Sequence, residues 1–210
     1  MRRLLILFLV VLAVGVAVAN VWAQRAATAP APPARAAATA TAVFAGGCFW
    51  CTESDFDHMP GVIQTLSGYT GGRVANPTYE QVSAGGTGHI EAVRVVYNPR
   101  GVSYANLVER FFATIDPLDA GGQFCDRGDQ YRSAIFVANA GERRIAEAAK
   151  ARVERRLGRR VATLILPRGA FYRAEEYHQD YYRKNPVRYR FYRWNCGRDA
   201  RLEQVWSPAR

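Results

Sequence analysis

Residues 42–51 read AVFAGGCFWC, and this short stretch combines a change of secondary structure with a candidate nucleophile. Its first four residues are apolar and typical of a β-strand. Gly46 and Gly47 end that strand, and the sequence predicts a helix that begins at or just after Cys48. A helix N-terminus favours negative charge, so it lowers the pKa of a cysteine placed there. The stretch therefore predicts a reactive thiol at Cys48.

Cys51 lies one helical turn after Cys48, close enough to form a disulfide with it after oxidation. This favours a redox thiol over a hydrolytic one. The C-x-x-C spacing also occurs in thioredoxin-like folds and in zinc sites. A zinc site needs two further ligands, and we expect none because the remaining candidates form no second C-x-x-C or H-x-x-x-H pair. These candidates are Cys125, Cys196, His89 and His178.

Outward from this stretch, the chain alternates predicted strands and predicted helices, which favours a single α/β or α+β domain. Thr78 and Ser103 are predicted N-caps of two helices. The tail from Asn185 onward is aromatic and basic and has no clear period. Further predicted strands cover residues 62–67, 90–97, 133–138 and 161–166, and further predicted helices cover residues 142–157 and 175–184.

Residues 1–23 are typical of a secretory signal peptide. Arg2 and Arg3 precede the apolar run 4–19, and a small residue at Ala23 predicts cleavage before Gln24. An uncleaved membrane anchor is the alternative, although a spanning helix needs about 20 apolar residues. Either form predicts that the domain is exported, for example to the periplasm.

Residues 24–41 are almost all Ala, Pro, Thr and Arg, a composition that predicts a linker in front of a domain at 42–210. The chain of 210 residues is 49% hydrophobic and 22% charged, as expected for a globular protein with a real core. Its net charge is +10, or +8 without the two arginines of the signal, which suits weak attraction to anionic surfaces. The basic, aromatic segment 181–194 resembles a nucleic-acid surface, but we favour a tail packed on the core and expect no nucleic-acid partner.

All four cysteines lie in the predicted exported part, so a structural disulfide is an alternative for some of them. A domain of this size does not need one, and Cys48 and Cys51 are too close in sequence to cross-link much of the chain. Cys125 is interpreted as a small buried apolar residue. The residues alone leave open a general thiol–disulfide oxidoreductase and a metal-binding or nucleic-acid-binding protein.

Several segments together resemble the A-type peptide methionine sulfoxide reductases. GCFWCTE at residues 47–53 is similar to the signature of that family. The match covers roughly residues 42–196, and the order of its segments makes it specific. The later segments, in order, are GYTGG (68–72), NPTY (76–79), GHIEAV (88–93), GQFCDRGDQYRS (122–133) and AEEYHQDY (174–181).

The resemblance implies an α+β two-layer sandwich with a ferredoxin-like mixed sheet, and reduction of the S epimer of methionine sulfoxide, free or in proteins. By resemblance, the Cys48 thiolate attacks the sulfur and Glu91 supplies a proton to the departing oxygen. Tyr79 and Tyr131 hold that oxygen. A buried glutamic acid has a raised pKa and can act as an acid at neutral pH.

The resemblance also implies a substrate pocket. Phe49 and Trp50 enclose the methyl group of the substrate, and Asp126 lines the pocket, where it can bind substrate backbone.

Attack leaves a sulfenic acid on Cys48, which condenses with a second thiol. Many members of the family have glycine at the position of Cys51 and resolve the sulfenic acid with a cysteine near the C-terminus. This chain has both, and we expect Cys51 to resolve first and Cys196 to be a second resolving thiol or idle. The resemblance implies no cofactor beyond an external dithiol, a thioredoxin-like reductant. We expect a monomer.

Overall fold

The computed structural model describes residues 38–207, so the predicted signal peptide and residues 24–37 of the predicted linker lie outside the described residues. Within this range no helix has the length and apolar character that crossing a membrane requires. The strands are β1 (Ala40–Ala45), β2 (Val62–Thr70), β3 (Ile90–Tyr97), β4 (Gly122–Gln123), β5 (Asp126–Arg127), β6 (Ala134–Val137), β7 (Leu164–Pro167) and β8 (Phe171–Arg173).

Six strands form one sheet in the order β7-β6-β1-β3-β2-β8, while β4 and β5 form a separate small hairpin. Neighbours in the main sheet are antiparallel except β6 and β7, which are parallel. The predicted α+β domain with a mixed sheet is therefore confirmed. The helices are α1 (Phe49–Asp57), α2 (Tyr79–Ser83), α3 (Tyr104–Ala113), α4 (Ala140–Leu157), α5 (Tyr181–Lys184), α6 (Pro186–Asn195) and α7 (Arg198–Trp206).

The two faces of the sheet are buried differently. Phe44 of β1 packs on the helical side, with Phe56 of α1 and Leu107 of α3 in the larger apolar cluster. The smaller cluster consists of strand residues alone, such as Val43 and Phe136. Because β1 is buried on both faces, it is apolar throughout rather than alternating. The C-terminal end of β1 leads to Cys48, which therefore lies next to the middle of the sheet.

The predicted N-caps are confirmed. Thr78 accepts a hydrogen bond from the Gln81 amide, and Ser103 accepts one from the Asn106 amide, each within a capping box. Helix α1 begins at Phe49, as predicted.

The predicted helix over 175–184 is wrong in its first half. Residues Glu176–His178 form a 3₁₀ turn, and Asp180 then has φ of 51°, in the left-handed region that interrupts a helix. The buried Glu53 carboxylate accepts the Asp180 amide hydrogen at 3.0 Å, which holds the chain in this bend. Within residues 175–184, only α5 is an α-helix.

The tail without clear period is in fact two helices, α6 and α7. Pro186 occupies the first turn of α6, and Gly197 has φ of 68° at the break between the two helices. Tyr189 is buried but Phe191 and Trp194 are exposed, so the interpretation of a tail packed on the core holds for only part of the segment.

Candidate active site

The turn between β1 and α1 fits only glycine at residue 47. Gly47 has φ of 83°, and a Cβ atom there would lie 2.5 Å from Cβ of Gln123. Gln123 is itself fixed, because its buried side-chain amide accepts from the Asp116 amide and donates to the Asp116 carbonyl oxygen. The turn that carries Cys48 therefore packs directly against the β4–β5 hairpin.

Cys48 is the N-cap residue of α1, and Cys51 lies in its first turn. Both are free thiols and buried, and each shifts the pKa of the other. Burial raises the pKa of the Cys48 thiol well above its usual value, and the hydrogen bond to Cys51 and the acids Glu91 and Asp126 raise that pKa further. Burial therefore opposes the thiolate that the helix position of Cys48 alone predicts.

Glu91 lies beneath the N-terminus of α1, on the central strand β3. Its side chain is buried, and Oε2 accepts the Phe49 amide hydrogen at 3.1 Å. Burial raises the pKa of Glu91 to about 8, although the Phe49 hydrogen bond acts in the opposite direction. Glu91 is therefore protonated at neutral pH and can donate a proton.

Tyr79 and Tyr131 approach the same point from two separate helical turns. Tyr79 is the first residue of α2, and Tyr131 ends the 3₁₀ turn Asp129–Tyr131. Burial raises the pKa of both hydroxyls, and the nearby Glu91 and Cys48 add to this effect. Both tyrosines consequently remain hydrogen-bond donors. Glu175 fixes the Tyr79 backbone, because its Oε1 accepts the Tyr79 amide hydrogen at 2.8 Å.

Aromatic rings form one wall beside Cys48. Trp50 stacks on Tyr181, with ring centroids 3.7 Å apart, and its indole N–H donates to His178 Nδ1 at 3.0 Å. Phe49 also contacts His178, with centroids 4.8 Å apart. Burial lowers the pKa of His178 to about 4, so the ring is neutral and can accept the indole hydrogen. His178 thereby fixes the orientation of Trp50.

Asp126 and Tyr192 lie beside this wall, where the Tyr192 ring packs in a T shape against Trp50 with centroids 5.7 Å apart. The Tyr192 hydroxyl donates to Asp126 Oδ2, and burial together with the nearby Cys48 raises the pKa of Tyr192. Burial raises the pKa of Asp126. Sequence reasoning missed Tyr192, because the tail was not recognised as helical. Pro186 as the first residue of a helix was the available signal.

The predicted residues Cys48, Cys51, Glu91, Tyr79 and Tyr131 are thus brought together, with Phe49, Trp50 and Asp126 around them. The family model described as peptide methionine sulfoxide reductase matches residues 40–210. The chain belongs to this family.

Individual members of the family are closely similar to the chain. The peptide methionine sulfoxide reductase MsrA 2 of Caulobacter vibrioides is 51% identical over 208 residues, which is 99% of this chain and 100% of the relative. The MsrA of Bacillus licheniformis is 49% identical over 172 residues, covering 79% and 93% of the two chains.

Solved structures of the family also match. The reduced form of Mxr1 from Saccharomyces cerevisiae has a TM-score of 0.68 at 32% identity, covering 73% of this chain and 89% of that one. Methionine sulfoxide reductase A of Corynebacterium diphtheriae has a TM-score of 0.65 at 36% identity, covering 73% and 77%.

The other two cysteines of this reductase chain are not free. Cys125 and Cys196 form a disulfide, with Cα atoms 4.9 Å apart. The interpretation of Cys125 as a buried apolar residue is wrong, because it is exposed at the tip of the β4–β5 hairpin, where α6 ends. Two of the four candidate zinc ligands are consequently bonded to each other. Cys196 can serve as a resolving thiol only after this bond is broken.

The turn generates a stability prediction. We expect Gly47→Ala to cost about 1–2 kcal/mol in backbone strain and about 1–3 kcal/mol more through overpacking against Gln123. Urea unfolding measures the sum of these two costs as the decrease in the free energy of unfolding. Gly158→Ala is the matched control, because Gly158 also has positive φ but no atom lies within 4 Å of an added Cβ. Equal costs for the two variants would contradict the importance of the Gln123 contact.

Proposed function

We propose that the protein reduces the S epimer of methionine sulfoxide, free and in proteins, to methionine. One observation carries the proposal: the buried Glu91 carboxyl accepts the amide hydrogen of the residue next to Cys48 and has a pKa of about 8. A nucleophilic sulfur and a proton donor for the departing oxygen are therefore adjacent. Membership of the family and the sequence identity to MsrA proteins support the same reaction.

In the first step the Cys48 sulfur attacks the sulfoxide sulfur. Glu91 gives its proton to the sulfoxide oxygen, and the proton that Cys48 loses restores the Glu91 acid. The Tyr79 and Tyr131 hydroxyls donate hydrogen bonds to the oxygen, where negative charge develops. The oxygen passes to Cys48 as a sulfenic acid, so methionine gains two electrons and Cys48 loses two.

The aromatic wall and Asp126 hold the substrate. Phe49 and Trp50 face the methyl group, and Asp126, oriented by the Tyr192 hydroxyl, binds substrate backbone. His178 and Tyr181 already hold the Trp50 ring in place. Substrate binding therefore costs less side-chain conformational entropy.

Cys51 resolves the sulfenic acid. It is free, buried and in contact with Cys48, whereas Cys196 is bonded to Cys125. Formation of the Cys48–Cys51 disulfide releases water. A thioredoxin-like dithiol then reduces this disulfide, and no other cofactor is required.

Residues 1–23 support export to the periplasm. In this proposal the domain acts there as a monomer, and its substrates are oxidised proteins. Outside the cytoplasm the reductant itself must receive electrons across the membrane. The mass of the mature chain distinguishes cleavage before Gln24 from a retained anchor.

A single-turnover experiment tests the reaction. Without external reductant and with excess methionine S-sulfoxide, about one methionine should form per chain, with loss of two thiols. Thiol titration and quantification of methionine measure both. The absence of methionine while the protein is folded and Cys48 is reduced would refute the proposed function.

The role of Glu91 predicts a pH dependence. Glu91 donates its proton only in the acid form, which predominates below pH 8. The rate of methionine formation in a single turnover should therefore fall above pH 8, approaching tenfold for each pH unit. Rapid-quench kinetics between pH 6 and about 10 measure this rate.

Glu91→Gln is the control for that profile. It should slow methionine formation by about 10²–10⁴-fold and abolish the fall above pH 8. Exchange of the Cys48–Cys51 disulfide with a small dithiol should survive, since it does not need the acid. A variant that keeps full sulfoxide reductase activity would contradict the assignment of Glu91 as the proton donor. Disulfide exchange by a wild type that forms no methionine would favour the rival function, a general thiol–disulfide oxidoreductase.

The resolving thiol is tested by substitution. Cys51→Ser should still release one methionine per chain but lose only one thiol, because the sulfenic acid persists. Cys125→Ser combined with Cys196→Ser should still lose two thiols. Mass mapping of the wild type after turnover should identify a Cys48–Cys51 bond, and a Cys48–Cys196 bond would overturn this assignment.

A further inference from the structure

Two arginines from the C-terminal helices flank one carboxylate beneath Cys51. Asp55 lies one turn after Cys51 on α1 and is buried. Arg193 Nη1 lies 3.0 Å from Asp55 Oδ1, and Arg198 Nη2 lies 3.6 Å from Asp55 Oδ2. We call Arg193 and Arg198 the arginine pair.

Arg198 is the more deeply buried of the pair, with 2% of its surface exposed. Its guanidinium donates to the carbonyl oxygens of Gly46 at 3.3 Å and Thr114 at 2.8 Å. It also lies over the Phe124 ring, 4.4 Å from the centroid. Gly46 belongs to the turn that carries Cys48, so a positive charge shielded from water lies immediately behind the two thiols.

The arginine pair is not fully neutralised by its surroundings. The second acid that contacts Arg193 is Asp199, whose side chain is 65% exposed and therefore screened by water. Among residues 38–207, Arg198 Nε and Asp55 Oδ2 have no hydrogen-bond partner. A buried ion pair is a weak source of stability, and apolar side chains often replace one without loss. Incomplete pairing at this place suits an electrostatic effect on Cys51 better than a purely structural one.

The groups that face Cys51 come from every neighbouring element. The hydrogen bond from Cys48 lowers the pKa of Cys51, Arg198 and Arg193 lower it further, and burial and Asp55 oppose them. Tyr189 of α6 and Glu91 of β3 also lie within electrostatic range of this thiol. The arginine pair thus contacts α1 at Asp55, one helical turn after Cys51, and its positive charge favours the Cys51 thiolate.

We propose that Arg198 and Arg193 are positioning residues for the resolving step, which keep Cys51 as the thiolate that attacks the oxidised Cys48. This inference rests on the proposed function and on Cys51 as the resolving thiol. The Cys51 sulfur forms a bond to the Cys48 sulfur, and the bond from that sulfur to oxygen breaks. Hydroxide leaves and takes up the proton that Cys51 released, which gives water.

The first test measures ionisation directly, without turnover. In a Cys48→Ser background, the absorbance of the Cys51 thiolate is titrated against pH. Arg198→Gln and Arg193→Gln should each raise the midpoint by about one pH unit, because each removes a stabilising positive charge. Asp55→Asn should lower the midpoint, since it removes the opposing negative charge.

Opposite signs separate electrostatics from structure, because a loss of packing would not shift the three variants in this pattern. Arg201→Gln is the matched control: Arg201 lies on the same helix as Arg198 but binds Asp116 at 2.8 Å. Its midpoint should equal that of the parent. No shift in the arginine variants, or a shift of the same sign in Asp55→Asn, would overturn the proposal.

The second test separates the two chemical steps in the chain with all its cysteines. In Arg193→Gln, which leaves the Gly46 contact of Arg198 intact, methionine should form at the wild-type rate while disulfide formation slows about tenfold. Sulfenic acid on Cys48 should accumulate and be captured by dimedone. Arg193→Lys should restore much of the rate, because the charge is kept.

The outcomes are distinguishable. Equal slowing of both steps would mean that Arg193 acts through structure alone, and the proposal would be wrong. If Arg198→Gln does not fold, the opposite shifts of Arg193→Gln and Asp55→Asn decide the question. If the wild type forms no methionine, the proposed function fails, whereas the thiolate titration still reports whether the arginine pair controls Cys51.

Discussion

A hydrogen bond from the Phe49 amide to the Glu91 carboxyl joins the first turn of α1 to the central strand of the sheet. The Phe49 amide follows Cys48 directly and donates to Glu91, so the Cys48 thiol and the Glu91 carboxyl lie close together. The Gly47 turn packs so closely against Gln123 that a Cβ atom does not fit between β1 and α1. Around this fixed point, Phe49 and Trp50 follow on α1 itself, and Tyr79 and Tyr131 approach from short helical turns.

Burial is the largest cause of the raised pKa values of Cys48 and Glu91. The field of a helix N-terminus is worth about 0.3–2 kcal/mol. Removal of water can shift a pKa by up to about 3–5 units, and each unit is worth about 1.4 kcal/mol. Burial therefore outweighs the helix at Cys48, and the same exclusion of water keeps Glu91 protonated. A sulfoxide is neutral and needs a proton, so a site with protonated groups suits it.

Much of the fold could be predicted because ordinary signals were present. The apolar strand β1, the glycine break and the capping residues Thr78 and Ser103 each act through local chemistry. The C-terminal helices could not be recognised by hydrophobic period, because the side that faces the core contains tyrosine and arginine as well as aliphatic residues. Tyr189 and Arg198 are buried through hydrogen bonds and ion pairs, which a period does not record. Likewise, spacing alone does not reveal that Cys125 pairs with a cysteine 71 positions away.

The Cys125–Cys196 bond turns about a third of the chain into a covalent ring. The ring contains Asp126, Tyr131 and Tyr192, whereas Cys48 and Glu91 lie outside it. Closing a ring of this size restricts the unfolded chain by about 4 kcal/mol in the simplest entropic treatment. A dithiol that reduces the Cys48–Cys51 disulfide can also reduce the Cys125–Cys196 bond, because Cys125 is exposed. Catalytic turnover and resistance to unfolding are therefore linked through one supply of thiols.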